Sequence, residues 1–325
     1  MKRVLVLGGS GFLGSHVCNK LAALPWRITL PTRREANASH LQHLPQVDVL
    51  QADVHDAAVL RQLVAEHDAV LNLVAILHGD AAAFERTHVE LVKTLARACL
   101  DAGVHRLVHV SALGADGQAP EKAPSMYLRS KSAGEAALVR AATEGLKLTL
   151  LRPSVIFGAQ DKFLNLFARL QTLFPIIPLA GAQARFQPVW VEDVAQAIVH
   201  SLQDPGTAGK TYELCGPQVF TLKELMQLAG RLSGVRRGRG RPIVALPETL
   251  GRLQARLMEW LPGAPLMSRD NLDSMRIDNV ASGKLPGLQA LGVTPASLLA
   301  IAPAYLGPST LQDPCLELRS HVHGV

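Results

Sequence analysis

The feature that most constrains this chain is the run Gly8-Gly9-Ser10-Gly11-Phe12-Leu13-Gly14, which follows an apolar segment at once and opens a helical pattern at once. The spacing is GxxGxxG, a relative of the glycine-rich turns that cradle phosphates between a strand and a helix. Gly8 permits the tight turn. Gly11 lets the backbone approach a pyrophosphate, because a Cβ there would hold the phosphate away. Gly14 lets the helix pack closely on the strand. The helix N-terminus then presents unpaired N–H groups and a partial positive charge, with Ser10, Phe12 and Leu13 beside them.

The rest of the first half fits that turn. Short apolar, β-branched runs at 3–7, 27–30, 47–51, 69–74, 106–110 and 146–151 alternate with helical stretches at 12–24, 57–66, 83–102 and 127–143. Such alternation predicts an α/β fold, a Rossmann doubly wound parallel sheet. Aromatics are only 4% of a chain that is 48% hydrophobic, so aliphatic side chains do most of the packing, as in sheets covered on both faces. After Pro153 the pattern loosens and prolines recur. A helix over 189–203 and a strand over 210–214 return to the sheet. The expected organisation is a dinucleotide-binding domain over 1–158 rejoined by 188–216. A smaller, mainly helical C-terminal domain for substrate or partner covers 159–187 and 217–306, and 307–325 forms a poorly ordered tail.

The end of each strand says what the dinucleotide meets. NAD-specific sites commonly end the second strand with an acid that accepts from the ribose 2′-hydroxyl. Here the strand runs Leu30-Pro31-Thr32-Arg33-Arg34, and Glu35 comes late. A guanidinium clamps a 2′-phosphate through parallel charge-assisted bonds, so Arg33 and Arg34 favour NADP(H), with NAD(H) as the alternative. Asp53 either accepts from the adenine amino group, with Val54 against the ring, or caps the helix that follows. The fourth strand ends in Asn72-Leu73-Val74-Ala75, where the backbone of Val74 and Ala75 would pass the cofactor ribose.

Tyr127 and Lys131 lie four residues apart and share a helix face. A reductase needs an acid or base at the substrate oxygen. A free tyrosine is a poor base at neutral pH, and an ammonium one turn away, together with the positive nicotinamide ring, would favour the phenolate. Lys131 could also hold the nicotinamide ribose. Ser111, which ends the fifth strand, is placed to bond the substrate oxygen.

The net charge of +6 is partly concentrated in Arg236, Arg237, Arg239 and Arg241. The simple reading of that stretch is a solvated loop. The sharper one is a contact with an anionic substrate, a partner or a membrane surface. No aromatic interleaves these arginines, which argues against nucleic acid. Cys18, Cys99, Cys215 and Cys315 are scattered and the histidines show no metal-ligand spacing, so a reduced protein without a metal is expected. His321 and His323 form only a tail pair. The apolar start is too short for a signal peptide, and no uncharged stretch spans a bilayer. The expectation is a soluble, cytoplasmic protein, monomer or homodimer, with peripheral membrane attachment open.

Taken together, the glycine turn, Ser111, Tyr127/Lys131, Leu151-Arg152-Pro153-Ser154-Val155-Ile156-Phe157-Gly158 and Pro188-Val189-Trp190-Val191-Glu192-Asp193-Val194-Ala195 resemble the extended and atypical short-chain dehydrogenase/reductases, of the NAD-dependent epimerase/dehydratase type. Residues 261–266 and Asp278-Asn279-Val280 are similar to the atypical group that includes the nucleotide-binding accessory subunit of mitochondrial NADH:ubiquinone oxidoreductase and bacterial relatives. The resemblance implies Ser10, Gly11, Phe12 and Leu13 at the diphosphate, Arg33 at the 2′-phosphate, Asp53 and Val54 at adenine, and Pro153 and Val155 near nicotinamide. It implies an oxidoreductase acting on a carbonyl, alcohol or quinone-related substrate, with two alternatives: a non-catalytic accessory or sensor subunit of a respiratory complex, and a sugar-nucleotide epimerase or dehydratase. Two departures stand out. The 111-to-127 interval is shorter than in typical sugar-nucleotide epimerases, and Ala75-Ile76-Leu77 lacks the usual polar partner at the fourth strand's end.

Overall fold

The computed structural model describes residues 2–260 and 267–307. Two compact units are present. Among the described residues, the first comprises 2–153, 191–214 and 282–294, and the second 154–190, 215–260, 267–281 and 295–307.

In the first unit, β1 (Lys2–Leu7), β2 (Trp26–Thr32), β3 (Val47–Gln51), β4 (Ala69–Asn72), β5 (Arg106–Val110) and β6 (Lys147–Pro153) join a seventh strand, Lys210–Leu214. All pair in parallel, in the order Lys210–Leu214, β6, β5, β4, β1, β2, β3. The order reverses between β1 and β4, which is the switch point of a Rossmann sheet and the place where its ligands sit. Helices α1 (Phe12–Ala22), α2 (Ala57–Ala65), the short α3 (Ala81–Phe84), α4 (Leu91–Asp101) and α5 (Met126–Thr143) provide crossovers, and Val191–Gln203 packs beside α1. One core lies under α2, α4 and α5. There Leu60, Leu91, Leu95, Cys99 and Leu138 meet Leu5, Leu7, Val70 and Leu107 of the sheet.

Where the sequence predicts one helix over 83–102, the chain forms α3, a π-helical turn over Glu85–Glu90 and then α4. The wide turn is accommodated because Gly134 of α5 has no side chain: a Cβ there would stand 2.2 Å from the His88 carbonyl oxygen. The segment 282–294, expected in the smaller part, belongs to the first unit. Glu213 binds it twice, through a carboxylate that accepts from Ser282 N–H at 2.7 Å and an N–H that donates to the Pro286 carbonyl.

The second unit is built on helices Leu164–Leu173 and Leu222–Leu232, whose Phe167, Leu225 and Met226 share a core with Phe157, Leu179 and Leu298. Thr221 and Glu224 form a capping box at the start of the second of these helices. The unit also holds three two-stranded ladders, one of which takes Val189–Trp190 out of the helix predicted from 189. The stretches 261–266 and 308–325, with Cys315, His321 and His323, lie outside the described residues.

Candidate functional site

The four glycines of the first turn do different work, and a Cβ on Gly9 would stand 2.9 Å from Leu30 and Val6 side-chain carbons of the sheet. Gly8 has φ +79°, and a Cβ on it would stand 3.1 Å from the carbonyl carbon of Leu73 and the nitrogen of Val74. The chain leaving β4 therefore runs against the turn, which sets Val74 and Ala75 beside it. A Cβ on Gly14 would stand 2.5 Å from Gly9 Cα and O, so this glycine seats α1 on the turn itself rather than on the strand as expected from sequence. Gly11 is different. Its φ of −81° suits any residue, and its Cβ would meet only the Gly8 oxygen at 3.4 Å. The protein's own packing does not require glycine at this exposed position, the N-cap of α1. No side chain caps the helix and no acid lies in its first turn. Bare amides at a helix start, with a bare Cα in front of them, suit a diphosphate.

Arg33 and Arg34 follow β2 and are exposed, and among the described residues neither guanidinium has a carboxylate partner. The Asp53 carboxylate accepts from the His55 N–H at 3.0 Å. Asp56, not Asp53, caps α2, accepting from Ala58 and Val59 N–H, so the capping alternative for Asp53 falls. Val54 is half-buried against the core. Burial, then Arg86, then Arg33 push the His55 imidazole below its usual range, against Asp53. Arg86, from the π-helical turn, thus joins Arg33 in this positive field, a residue the sequence reading passed over.

Ser111 directly follows β5, whose Val110 carbonyl holds Lys131, and Tyr127 lies one turn before Lys131 on α5. Ser111 N–H donates to the Leu151 carbonyl at 2.8 Å, while its buried hydroxyl has no hydrogen-bond partner. Lys131 is buried and donates to the Val110 carbonyl at 2.9 Å, and burial pulls its ammonium down to about 8. Ser125 caps α5 through Leu128 N–H and so fixes the start of the helix that carries both Tyr127 and Lys131. Tyr127 is half-buried, with its ring edge-on to His88 at 5.6 Å and to Phe84 at 6.2 Å. Burial pushes the Tyr127 phenol up to about 12. Lys131 alone therefore does not bring the phenol down. The loss of solvation decides the direction, and the Lys131 charge falls instead on His88 and His109.

His88 organises this corner. Its Nε2 accepts from Ile76 N–H at 3.1 Å, which leaves Nδ1 as the donor to Ser130 Oγ at 2.8 Å, and that hydroxyl donates to the Tyr127 carbonyl. The strand end that seemed to lack a polar partner is held through its backbone. Burial and Lys131 take the His88 imidazole down to about 3. A second buried pair, Asn72 and His109 at 3.1 Å, ties β4 to β5, and Asn72 Oδ1 accepts from Val74 N–H. Fully buried Glu135 of α5 takes two bonds from Arg152 of β6, one at 2.9 Å. His88 was findable, since positions 84, 88, 91 and 95 share one helical face whose other members are apolar. Asn72, His109 and Glu135 have no spacing signal.

Pro153 ends β6, where its carbonyl accepts from Leu113 N–H. Val155 belongs to the second unit, where its N–H donates to Asn279 Oδ1 at 3.1 Å. Cys18 and Cys99 are buried thiols. Among the described residues no helix is long and apolar enough to cross a membrane, and no cluster of His, Cys, Asp or Glu could hold a metal.

The sequence model of the NAD dependent epimerase/dehydratase family matches residues 4–215. NADH dehydrogenase [ubiquinone] 1 alpha subcomplex subunit 9, mitochondrial, of Mus musculus is 33% identical over 90% of this chain and 76% of its own. A ceramide reductase of Caulobacter vibrioides is 27% identical over 72% of this chain and 71% of its own. Among solved structures, a dTDP-glucose 4,6-dehydratase from Streptomyces venezuelae with NAD bound superposes with a TM-score of 0.72 and 23% identity, covering 94% of this chain and 95% of that one.

The His88 environment sets a pH dependence. An unfolded chain takes up a proton on this imidazole below its usual value of 6.5, whereas the folded chain refuses it down to about 3. The stability His88 confers is present above pH 6.5 and drains as pH falls towards 3. In chemical denaturation between about pH 6 and pH 4, His88→Gln should flatten the acid limb by about 1.4 kcal/mol per pH unit, with His109 still contributing its own share. Parallel acid limbs in wild type and variant would contradict the buried, neutral assignment.

Proposed function

The chain belongs to the NAD dependent epimerase/dehydratase family, and we propose that it binds NADP(H) in preference to NAD(H) and reduces a carbonyl of a small molecule, quinone- or lipid-related, with Ser111, Tyr127 and Lys131. The observation that carries this reading is the Ser111 hydroxyl. It is buried, it bonds nothing, and it sits at the carboxyl edge of a parallel sheet, one residue from the carbonyl that anchors Lys131. An orphaned buried hydroxyl costs roughly 1–3 kcal/mol, a cost that a substrate oxygen would remove. The bare Gly11 and the uncapped start of α1 fit the dinucleotide's diphosphate. The bound cofactor would supply the hydride. Ser111 Oγ–H donates to the substrate oxygen and Tyr127 delivers the proton. The phenol, raised by burial to about 12, is protonated at neutral pH and so carries the proton that carbonyl reduction requires, as a weaker acid than a free tyrosine. Lys131 steadies the nicotinamide ribose from its tether on Val110.

A second reading is favoured by a separate observation. The Lys131 ammonium is committed to a backbone carbonyl and does not lower the Tyr127 phenol. In that reading the nucleotide is held without turnover, and the protein is an accessory or sensor subunit of a respiratory complex on the membrane periphery, in keeping with the similarity to mitochondrial NADH dehydrogenase subunits. Epimerase and dehydratase chemistry has no such support, since solved neighbours of that kind below 25% identity share only the fold.

Single-turnover mixing of NADPH-loaded protein with carbonyls and quinones separates the two readings. The expected result is loss of reduced-nicotinamide absorbance, slowed at least about a hundredfold in Tyr127→Phe. Retained NADPH with no turnover across the panel would select the accessory reading. Calorimetric titration with both cofactors tests the preference. NADPH should bind more tightly than NADH, and Arg33→Ala should weaken NADPH by about tenfold or more while leaving NADH unchanged. Tighter NADH binding by the wild type would refute the 2′-phosphate assignment.

A further inference from the structure

The second unit carries a basic cavity that neither reading uses. Arg231, Arg236, Arg239 and Arg241, with Gln227 and Ile243, line a space of about 250 Å³. Its arginine loop is held in place by an internal device. Gln171, fully buried in helix Leu164–Leu173, accepts from the Arg241 N–H at 2.6 Å and donates to the Met226 carbonyl at 3.2 Å. Gly230 leaves the room this amide needs, since a Cβ there would stand 2.5 Å from it. Between these anchors Arg236 and Arg237 have φ of 51° and 59°, a left-handed conformation that side-chain-bearing residues rarely adopt. Two arginines thus occupy positions where glycine would be less strained.

The charge is uncompensated. Among the described residues Arg231, Arg236, Arg237, Arg239 and Arg241 have no carboxylate partner. Elsewhere in the unit Arg252, Arg269 and Arg276 all do, with Asp273, Glu259 and Glu248. Next to the loop lies an apolar face. The Pro242 carbonyl accepts from Ile177 N–H, and exposed Val244 pairs with Pro178 in the short ladder that exposed Phe174 and Ile176 lead into. The chain then enters helix Glu248–Glu259, which buries Gly251 and Ala255 and exposes Leu250, Leu253, Leu257 and, just after it, Trp260 at 75%. The spacing of these four makes one apolar stripe, and the Gln254 amide reaches back to the Pro178 carbonyl. An apolar stripe beside unpaired arginines has the composition of a surface that meets anionic lipid.

We propose that this face docks on a membrane, with the arginine cavity taking the phosphate of an anionic phospholipid headgroup and the Phe174, Ile176, Val244 and helical leucine residues seated at the acyl boundary. Arginine suits the task because its planar fork matches phosphate oxygens. Charge complementarity selects lipid over an uncharged apolar partner.

Co-sedimentation of the full chain with vesicles tests this. Vesicles of phosphatidylcholine with about a quarter phosphatidylglycerol should bind at least about tenfold more tightly than phosphatidylcholine alone, and less so as salt rises. Arg236→Gly with Arg237→Gly should keep or raise the thermal midpoint, because the strain is relieved, yet lose about tenfold in binding to the anionic vesicles. Leu253→Gln with Leu257→Gln should weaken binding to anionic vesicles while NADPH affinity stays unchanged. Equal binding to both vesicle types, binding to neither, or full arginine-dependent binding of glycerol phosphate without any vesicle preference would overturn the proposal, the last by assigning the cavity to a soluble phosphate ester.

Discussion

Everything in the first unit is arranged around a helix start left without a cap. The Gly8 turn brings β1, α1 and the chain leaving β4 into contact at the switch point of the sheet. Three of its glycines are explained by this packing alone, Gly8 by its positive φ, Gly9 by the 2.9 Å approach of Leu30 and Val6, and Gly14 by the 2.5 Å approach of α1 to the turn. Gly11 is explained by none of these. A helix whose N-cap offers no side-chain oxygen gives up, with glycine there, a few tenths of a kcal/mol relative to serine or aspartate at that position. The natural account is that a ligand's phosphates take the cap's place.

Behind that turn the protein spends buried polar groups on geometry. His88 holds the end of β4 and, through Ser130, the first turn of α5. Asn72 and His109 lock β4 to β5, and Arg152 with Glu135 locks α5 to β6. A buried ion pair such as Arg152–Glu135 adds little net stability over an apolar pair of the same volume, so its use here lies in fixing positions. The outcome is an α5 tied to its neighbours on both sides, whose Lys131 reaches the Val110 carbonyl next to Ser111, a buried hydroxyl left without a partner. The π-helical turn that brings His88 into this network belongs to a type of distortion found often at functional sites.

Much of this was legible in the sequence because it is periodic. Strand and helix alternation placed β1 to β6 and α5 to within a few residues, and the glycine spacing placed the turn. Other features have no periodic trace. Strands of two residues, such as Val189–Trp190, cannot be told from the helix they lead into. The π-helical turn depends on the room beside Gly134, which is a tertiary fact. The burial of the Tyr127 phenol is hidden for a related reason: helical spacing reveals that Lys131 is near, whereas the rings packed on Tyr127, Phe84 and His88, come from another element. Likewise Arg231 joins the basic loop only once its helix is folded beside it.

The central claim is that the uncapped start of α1 holds a dinucleotide's diphosphate, and Gly11→Asp tests it most directly. Aspartate is a favourable N-cap and its backbone suits φ −81°, so the variant should fold with an unchanged or higher thermal midpoint. Its carboxylate would nevertheless stand against the phosphates, a like-charge juxtaposition costing several kcal/mol. Calorimetric titration of the folded variant with NADPH should show at least about a hundredfold loss of affinity. Undiminished binding would contradict the account.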